Sequence, residues 1–570
     1  MSQHPQQAPE PISEAMEMLQ QDEMLPPPAV ASAVQSETAS VHSTVRRNVS
    51  ATMLARVGYM VTRILIPPFV LARIGLDAYG IWSMVFILVS YVGISTLGIS
   101  NVYIKYVAEF NARREYDRIN SLLSTGLAIT LPMCSAIFVA IFFGWPWIAP
   151  FLHLPAAHAQ DGRDAVLIVL GVFLASISLN AFSDTLTGMQ EIAAAQTFWT
   201  LGYLVEFAAV FTLVGLGFGL RGLAEAYLLR VLVNDGLSMW WAWRRLPWLR
   251  LSPRRIRREV VGYVLHFGGM VQLQSMLSIL LASIEKVIAL FTVGLAATGL
   301  FDIAKKWPSS IQTLPMAFFG AFLPAASHLD AHASPAEQRA VLRDFYLRGS
   351  RYSNLCTSYF CGLMAAIPGA ILAVWLGPKN PYLAQLTILF LLFTLGTQMH
   401  LLTGPGTSIL RGMGRVYDEF FYSVPNLLLL CLFVPASRLI TGHWTTFAIG
   451  VAVFCATAGA SCVLLARVQR VLGFRFWPYA RMVLLPSVIF YAAGFALRVP
   501  VTTLVARFGR WPGMGILIAA GLVYTALSGL LLDRFILHPE ERRMARQSIR
   551  RALSAAGLHA SGAATGEEAL

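Results

Sequence analysis

Fourteen times between residues 50 and 532, the chain runs through about twenty or more mostly apolar residues before a short connector interrupts it. The runs cover residues 50–73, 79–104, 121–145, 164–187, 197–218, 222–243, 260–285, 294–324, 351–376, 383–410, 416–438, 444–466, 480–500 and 511–532. A run of that length matches the thickness of a bilayer's hydrocarbon core when it is helical. Composition agrees. The 570 residues are 56% hydrophobic and 13% charged, with a mean hydropathy of +0.61, against roughly 45–50% apolar and about 25% charged in soluble proteins. The expected fold is therefore all-α: a polytopic membrane protein of about 14 transmembrane helices.

The net charge of +13 raises the question of nucleic acid, and its distribution answers no. The arginines fall in alternate connectors. One set holds Arg113, Arg114 and Arg118; Arg244 to Arg258; Arg339, Arg343 and Arg348; Arg467, Arg470 and Arg475; and Arg534 to Arg551. The intervening connectors hold scattered cations such as Arg163, Arg221, Lys379, Arg438, Arg507 and Arg510. By the positive-inside rule this asymmetry predicts an even number of spans with both termini cytoplasmic. Cys134, Cys356, Cys361, Cys431, Cys455 and Cys462 all lie in apolar runs, as free thiols do when they act as small hydrophobes. No disulfide framework, metal site or cofactor is expected.

Residues 1–45 are rich in Pro, Gln, Ser and Ala, carry several acids and no Lys or Arg, and read as a disordered cytoplasmic tail. Residues 533–570 read as a basic cytoplasmic tail. Between them two short strings recur. Ile74-Gly75-Leu76-Asp77-Ala78-Tyr79-Gly80-Ile81-Trp82 resembles Val293 to Phe301, 219 residues on, and Leu186 to Gln190 resembles Leu410 to Gly414, 224 residues on. Each pair is six spans apart, so both copies have the same orientation. The expected organisation is an N-lobe of helices 1–6 with its basic connector (46–258), a C-lobe of helices 7–12 (259–466), and helices 13–14 (467–532) appended.

Charged side chains inside a membrane are costly and pair, snorkel or face water. Arg56 and Arg63 of the first span are seven residues apart, on one face within about 20°, with Tyr59 near it. Pro67-Pro68 is expected to kink the helix beyond them. Arg63 lies near mid-depth and is expected to face a central cavity. In the eighth span Asp302 can pair with Lys305 or Lys306, leaving one cation over. Arg230 of the sixth span is expected to pair with Asp235 or with Glu206 of the fifth, as a structural or coupling network. Asp184, Glu285 and Lys286 read as interfacial, Lys105 and Arg351 as snorkelling, and His266 and His400 as hydrogen-bonded core residues.

These features come with a resemblance. Gly75 to Trp82, Leu97 to Asn101 with Tyr106 to Glu109, Gly299 to Lys306, and Phe322 to Ser327 are similar to motifs of the polysaccharide-repeat-unit (O-antigen and exopolysaccharide) flippases. That family shares a superfamily with multidrug and toxin extrusion transporters and lipid II flippases. Phe301 stands where the family's pattern has Tyr. The resemblance covers roughly residues 45–532. It implies two pseudo-symmetric six-helix lobes plus two helices, alternating access, and a polyprenyl-diphosphate-linked oligosaccharide as cargo in a bacterial inner membrane. Membrane lipids and polysaccharide polymerase or export machinery are the partners it implies. Arg63, Arg56, Tyr59, Lys305 and Lys306 are then the candidate substrate-binding residues, since arginine and lysine suit a diphosphate.

Two alternatives were weighed. A multidrug or cation antiporter of the same superfamily wants carboxylates deep in the first and seventh spans. The first has none, and the seventh has Glu285 near its far end. A membrane glycosyltransferase or ligase wants a large outer loop, and every outer connector is short. The chain also has no phosphate-binding glycine loop ending in Lys-Ser or Lys-Thr, no zinc-binding histidine pair and no nucleophile elbow.

Overall fold

A helix stands at each of the fourteen expected positions in the computed structural model, which describes residues 28–96, 98–152, 154–264, 269–312, 335–537 and 541–543. In chain order the helices are α1 Pro28–Val92, α2 Ile99–Ala112, α3 Tyr116–Ile148, α4 Ala159–Gly188, α5 Ile192–Gly215 and α6 Gly219–Arg245. They continue with α7 Arg258–Tyr263, α8 Gly269–Ala282, α9 Ile284–Thr292, α10 Leu295–Ile311, α11 Pro335–Ala366 and α12 Pro368–Leu376. Last come α13 Leu383–Leu401, α14 Gly404–Gly412, α15 Phe420–Thr441, α16 Thr446–Leu472, α17 Phe476–Tyr479, α18 Val488–Phe508 and α19 Arg510–Phe535. Among the described residues no strand occurs. Nine helical units there are long and apolar enough to cross a bilayer, ten if α11 and α12, bent by 75°, count as one. The first of these, Thr52–Val92, is 41 residues long, about two spans' worth.

Several expectations need correction. Helix α1 begins at Pro28, so residues 28–45 are helical rather than a disordered tail. Proline at the first helical position, and no Gly or Pro from Ala29 to Val57, leave nothing to stop the helix. Pro67 and Pro68 lie inside α1, whose one non-helical residue is Gly75, at φ 79° and ψ 175°, a conformation only glycine adopts readily. The seventh span continues through α9 to Thr292. Residues 1–27, His266, the Phe322 to Ser327 string and the tail beyond Arg543 lie outside the described residues.

The internal repeat is a repeat of backbone geometry. Gly294, the counterpart of Gly75, has φ 115° and ψ −174° and opens α10 as Gly75 opens the second span. After α4, Met189 N–H donates to Thr185, Gln190 N–H to Thr187 and Glu191 N–H to Leu186, at 2.9, 3.1 and 2.8 Å. After α14, Met413, Gly414 and Arg415 donate to Ile409, Arg411 and Leu410 at 2.9, 3.0 and 2.8 Å. Gln190 sits at φ 66° where its counterpart Gly414 has φ 72°.

Ion pairs gather the basic connectors at one end of the bundle. Arg255 meets Asp117 at 2.6 Å, Arg118 meets Glu259 at 3.2 Å, and Arg245 meets Glu191 at 3.8 Å. In the C-terminal half Arg415 and Arg467 share Asp418, and Arg351 meets Glu541 at 3.3 Å and the Ile536 carbonyl at 2.9 Å. Arg351 is thus paired rather than snorkelling, and Lys105 lies over the Tyr106 ring. We call this the basic end and its opposite the far end.

The apolar cores are divided unequally between the ends. At the far end one continuous core joins both halves, from Val70, Tyr79, Met84 and Val214 to Leu295, Phe301, Phe390 and Ile449. At the basic end the described buried residues form two cores, one drawn from residues 99–264 and the other from 342–483. The halves therefore share one core at the far end, whereas at the basic end they have two, bridged only where the seventh span leans on the first half: Tyr263 stacks on Tyr106 at 4.5 Å and the Gln272 side chain donates to the Ile94 carbonyl at 2.9 Å. Helices α18 and α19 pack on α11 and α12, and the Arg510 guanidinium donates to the Val374 and Trp375 carbonyls at the end of α12.

The far-end seal is built from the repeat itself. A Cβ on Gly80 would lie 2.1 Å from the Leu295 carbonyl oxygen, and one on Gly299 would lie 3.2 Å from Leu76 and 3.3 Å from the Gly80 backbone. Each copy's glycine thus receives the other copy's leucine. A second tie crosses nearby. Pro68 has no N–H to offer the Ile64 carbonyl one turn back, and the Trp375 indole N–H fills that place at 2.7 Å. Gly80→Ala should push the halves apart at the far end, because overpacking typically costs about 1–3 kcal/mol. On a cysteine-free background, a cysteine at buried Ala297 should react several-fold faster with a membrane-impermeant thiol reagent in the Gly80→Ala protein; equal rates would contradict this account of the seal.

Candidate functional site

Just beneath the far-end core, α1, α5 and α6 bring three rings and three charges together. The Arg63 Nη2 donates to Glu206 Oε2 at 2.5 Å, and Arg230 Nε lies 3.6 Å from the same oxygen. Arg63 packs 5.4 Å over the Tyr59 ring and 4.9 Å over Tyr203. Arg230 packs 4.8 Å over Tyr203 and 4.4 Å over Tyr227, and donates to the Tyr203 hydroxyl at 2.6 Å. The aromatic faces supply a further attraction for guanidinium once water is excluded. Arg56, two turns toward the basic end, lies over Trp199 at 5.5 Å.

One sequence expectation changes here, and one open alternative is resolved. Arg63 is not a lone cation facing a cavity but shares Glu206 with Arg230, keeping about a fifth of its side chain exposed. Arg230 takes Glu206 and not Asp235, whose Oδ1 accepts from Asn234 at 2.6 Å. The cause is geometry: an arginine one span away reaches Glu206 from the side, whereas Asp235 is little more than a turn along Arg230's own helix and buried against α4.

The facing half contributes α9 and α10. Asp302 is held by three groups. Lys286 Nζ lies at 2.8 Å, Lys306 Nζ at 3.0 Å, and the Tyr79 hydroxyl donates at 2.9 Å from the N-terminal half. Lys305 turns the other way, to Glu285 and to the Ala282 carbonyl at 3.1 Å. So Glu285 and Lys286 are central, not interfacial, and Asp302 takes Lys286 in place of Lys305. Successive residues on a helix point about 100° apart, so Lys305 and Lys306 could not both reach one carboxylate comfortably. His400 is half-buried beside Tyr422, ring centroids 4.8 Å apart, and its Nδ1 has no hydrogen-bond partner, so it is not the hydrogen-bonded core residue expected. Asp184 is close enough to interact with Ser100 and Asp235.

The two groups form one patch. Arg63 is within electrostatic reach of Lys306 and Tyr79, and Lys286 of Tyr59. Arg63, Arg230, Lys286, Lys305 and Lys306 meet Glu206, Glu285 and Asp302: five cations against three carboxylates. The carboxylate side chains are 2–12% exposed and the cations 14–28%. Negative charge is set behind and positive charge in front. Such a surface can hold an anion by charge-assisted hydrogen bonds. Sequence reasoning missed Tyr79, Tyr203, Tyr227, Glu285 and Lys286. Tyr79 stood in the repeated string, but no periodicity links Lys286 to Asp302 sixteen residues away.

No family model matches this chain. An uncharacterised membrane protein, EpsK of Bacillus subtilis, is 18% identical over 340 residues, or 60% of this chain and 66% of that protein, just under two thirds of its length. Among solved structures, the inward-facing conformation of a multidrug resistance MATE family transporter of the MOP superfamily superposes with a TM-score of 0.61 at 13% identity, covering 73% of this chain and 94% of that one. The lipid II flippase MurJ in an inward closed conformation gives 0.58 at 12% identity, covering 86% and 99%. The chain therefore has the polytopic helical fold of these transporters.

Asp302→Asn would leave Lys286 and Lys306 facing each other with no carboxylate. Breaking a buried pair costs about 3–5 kcal/mol, so the melting temperature in detergent should fall by several degrees, and adding Lys306→Met should recover part of the loss. A full-stability Asp302→Asn protein would show that the cluster is hydrated rather than mutually held.

Proposed function

We propose that the protein is a flippase that moves a polyprenyl-diphosphate-linked oligosaccharide across a bacterial inner membrane by alternating access, with the basic end in the cytoplasm. The observation that carries this reading is a central patch in which five cations are held forward of the three buried carboxylates they share. A diphosphate bears about two negative charges and is excluded from an apolar passage. Arginine offers it bidentate hydrogen bonds and lysine a point charge, while the half-buried Tyr59 and Tyr203 offer hydroxyls and ring faces to sugar. The prenyl chain stays in lipid.

The geometry of the halves supports the cycle. A seal at the far end with separate cores at the basic end suits a carrier waiting for cytoplasmic cargo. Outward movement of an anion also gains about 2.3 kcal/mol per charge per 100 mV of inside-negative potential. The fold likeness to a lipid II flippase supports a lipid-linked cargo. It equally allows a MATE-type drug antiporter, but a cationic drug would meet a patch of its own sign.

Deleting the gene should cause lipid-linked oligosaccharide to accumulate in the inner leaflet. In a complemented strain, Arg63→Ala should reduce export at least tenfold with normal protein in the membrane, and Arg63→Lys should retain part of it. Undiminished export by Arg63→Ala, or normal carrier turnover in the deletion strain, would remove the proposal.

A further inference from the structure

The basic end of the C-terminal half carries a second cationic site, well separated in the fold from the central patch. Helix α16 ends at Leu472, and Gly473 in the left-handed conformation (φ 71°) turns the chain. The Gly473 and Phe474 N–H groups both donate to the Gln469 carbonyl, so that helix end is capped by backbone. The turn sends Arg475 back beside Arg470, and Arg343 of α11 reaches over the Phe474 ring at 5.7 Å. Phe474 packs on Tyr346, which stacks on Tyr479, fixing α11 against α17. Between them lies an open pocket lined by Arg343, Gln469, Arg470, Phe474 and Arg475, together with Gly473 and Pro478.

Three features set this pocket apart from a solvated basic surface. Its three arginines form no ion pair among the described residues, whereas neighbouring Arg348, Arg351, Arg411, Arg415 and Arg467 are all paired. No carboxylate lines it. And Gln469, one of the lining residues, is more than nine-tenths buried with its Nε2 unpartnered. A buried amide left without an acceptor is destabilising, and an acceptor entering the pocket would satisfy it. Immediately beyond Arg475 come Phe476 and Trp477, both exposed, with the first apolar turns of the thirteenth span following. Exposed aromatics at the end of a span mark the headgroup level of the bilayer.

We propose that this pocket binds the phosphate of a membrane lipid headgroup, with Arg343, Arg470 and Arg475 around the phosphate oxygens, Gln469 donating from beneath, and Phe476 and Trp477 lying among the acyl chains. Arginine suits such a group because its planar fork matches two phosphate oxygens. The ligand is a lipid rather than a soluble phosphate because the aromatic pair borders the arginines on the side of the span. Occupancy would tie α11 to the α16–α17 turn and thereby brace the basic end of this half.

The test uses the full chain in nanodiscs or detergent. A fluorescent phosphatidylglycerol should bind the purified protein, and Arg470→Gln with Arg475→Gln should weaken that binding at least tenfold. A double variant of other unpaired arginines, Arg498→Gln with Arg507→Gln, should bind as the parent does. Inorganic pyrophosphate at millimolar concentration should displace little of the lipid. Gln469→Leu, which removes the buried donor and keeps the charges, should weaken binding severalfold without lowering the melting temperature. Equal binding by the Arg470/Arg475 variant would overturn the site. Complete displacement by pyrophosphate would overturn the lipid assignment and leave a soluble-anion site.

Discussion

A charge in a hydrocarbon layer must be paired, hydrated or removed, and this bundle is organised around charges that cannot all be paired. Five cations share three carboxylates at the meeting of α1, α5, α6, α9 and α10. Stacking Arg63 and Arg230 on Tyr59, Tyr203 and Tyr227 lowers the cost of keeping them there. It does not cancel their charge. The remaining positive potential needs water or an anionic guest, so the halves cannot be zipped together along their whole length. Separate basic-end cores are the structural counterpart of that imbalance.

What holds the far end shut is chemically different: a continuous apolar core, tightened by close backbone approach and one indole hydrogen bond. Gly80 and Gly299 let α10 and the second span touch where any side chain would hold them apart. Trp375 completes a carbonyl that Pro68 has left open. Both devices are local and uncharged, so they can be unmade without carrying an ion into lipid. A seal of this kind can open at modest cost, whereas a seal of buried ion pairs would resist separation by several kcal/mol. The lateral position of α18 and α19, packed on α11 and α12, leaves this seal to the twelve repeated spans.

The sequence disclosed the scaffold more fully than the site. Apolar run length located all fourteen helical positions, because in a membrane the backbone has few other ways to satisfy itself. The repeat was legible because Gly75 and Gly294 must both adopt a positive φ, and that requirement leaves a mark in one dimension. The charges left no such mark. Arg63 was visible as a mid-depth cation, but its partner Glu206 lies 143 residues away, and no spacing rule joins them. Lys305 and Lys306 looked equivalent beside Asp302; only their directions around α10 separate them, sending one to Glu285 and the other to Asp302. Over residues 28–45 composition points to disorder, whereas the run without Gly or Pro from Ala29 to Val57 is what the helix follows.

The repeat and the charges also obey different symmetries. The 219-residue offset that superposes Gly75 on Gly294 carries Asp302 onto Ser83, Lys305 onto Phe86 and Lys306 onto Ile87. It carries Tyr79, the one residue of the first string that touches the ion cluster, onto Thr298. The halves are alike in turns, helix breaks and glycine contacts, and unlike in every ionised residue of the patch. A duplicated scaffold explains why both halves carry the same glycine break before the second and eighth spans. It does not supply a binding surface, since two like surfaces related by an axis along the membrane normal would present the same groups twice to an asymmetric headgroup. Here guanidinium groups stand on one half and ammonium groups on the other, and the Tyr79–Asp302 hydrogen bond that crosses between the halves joins them.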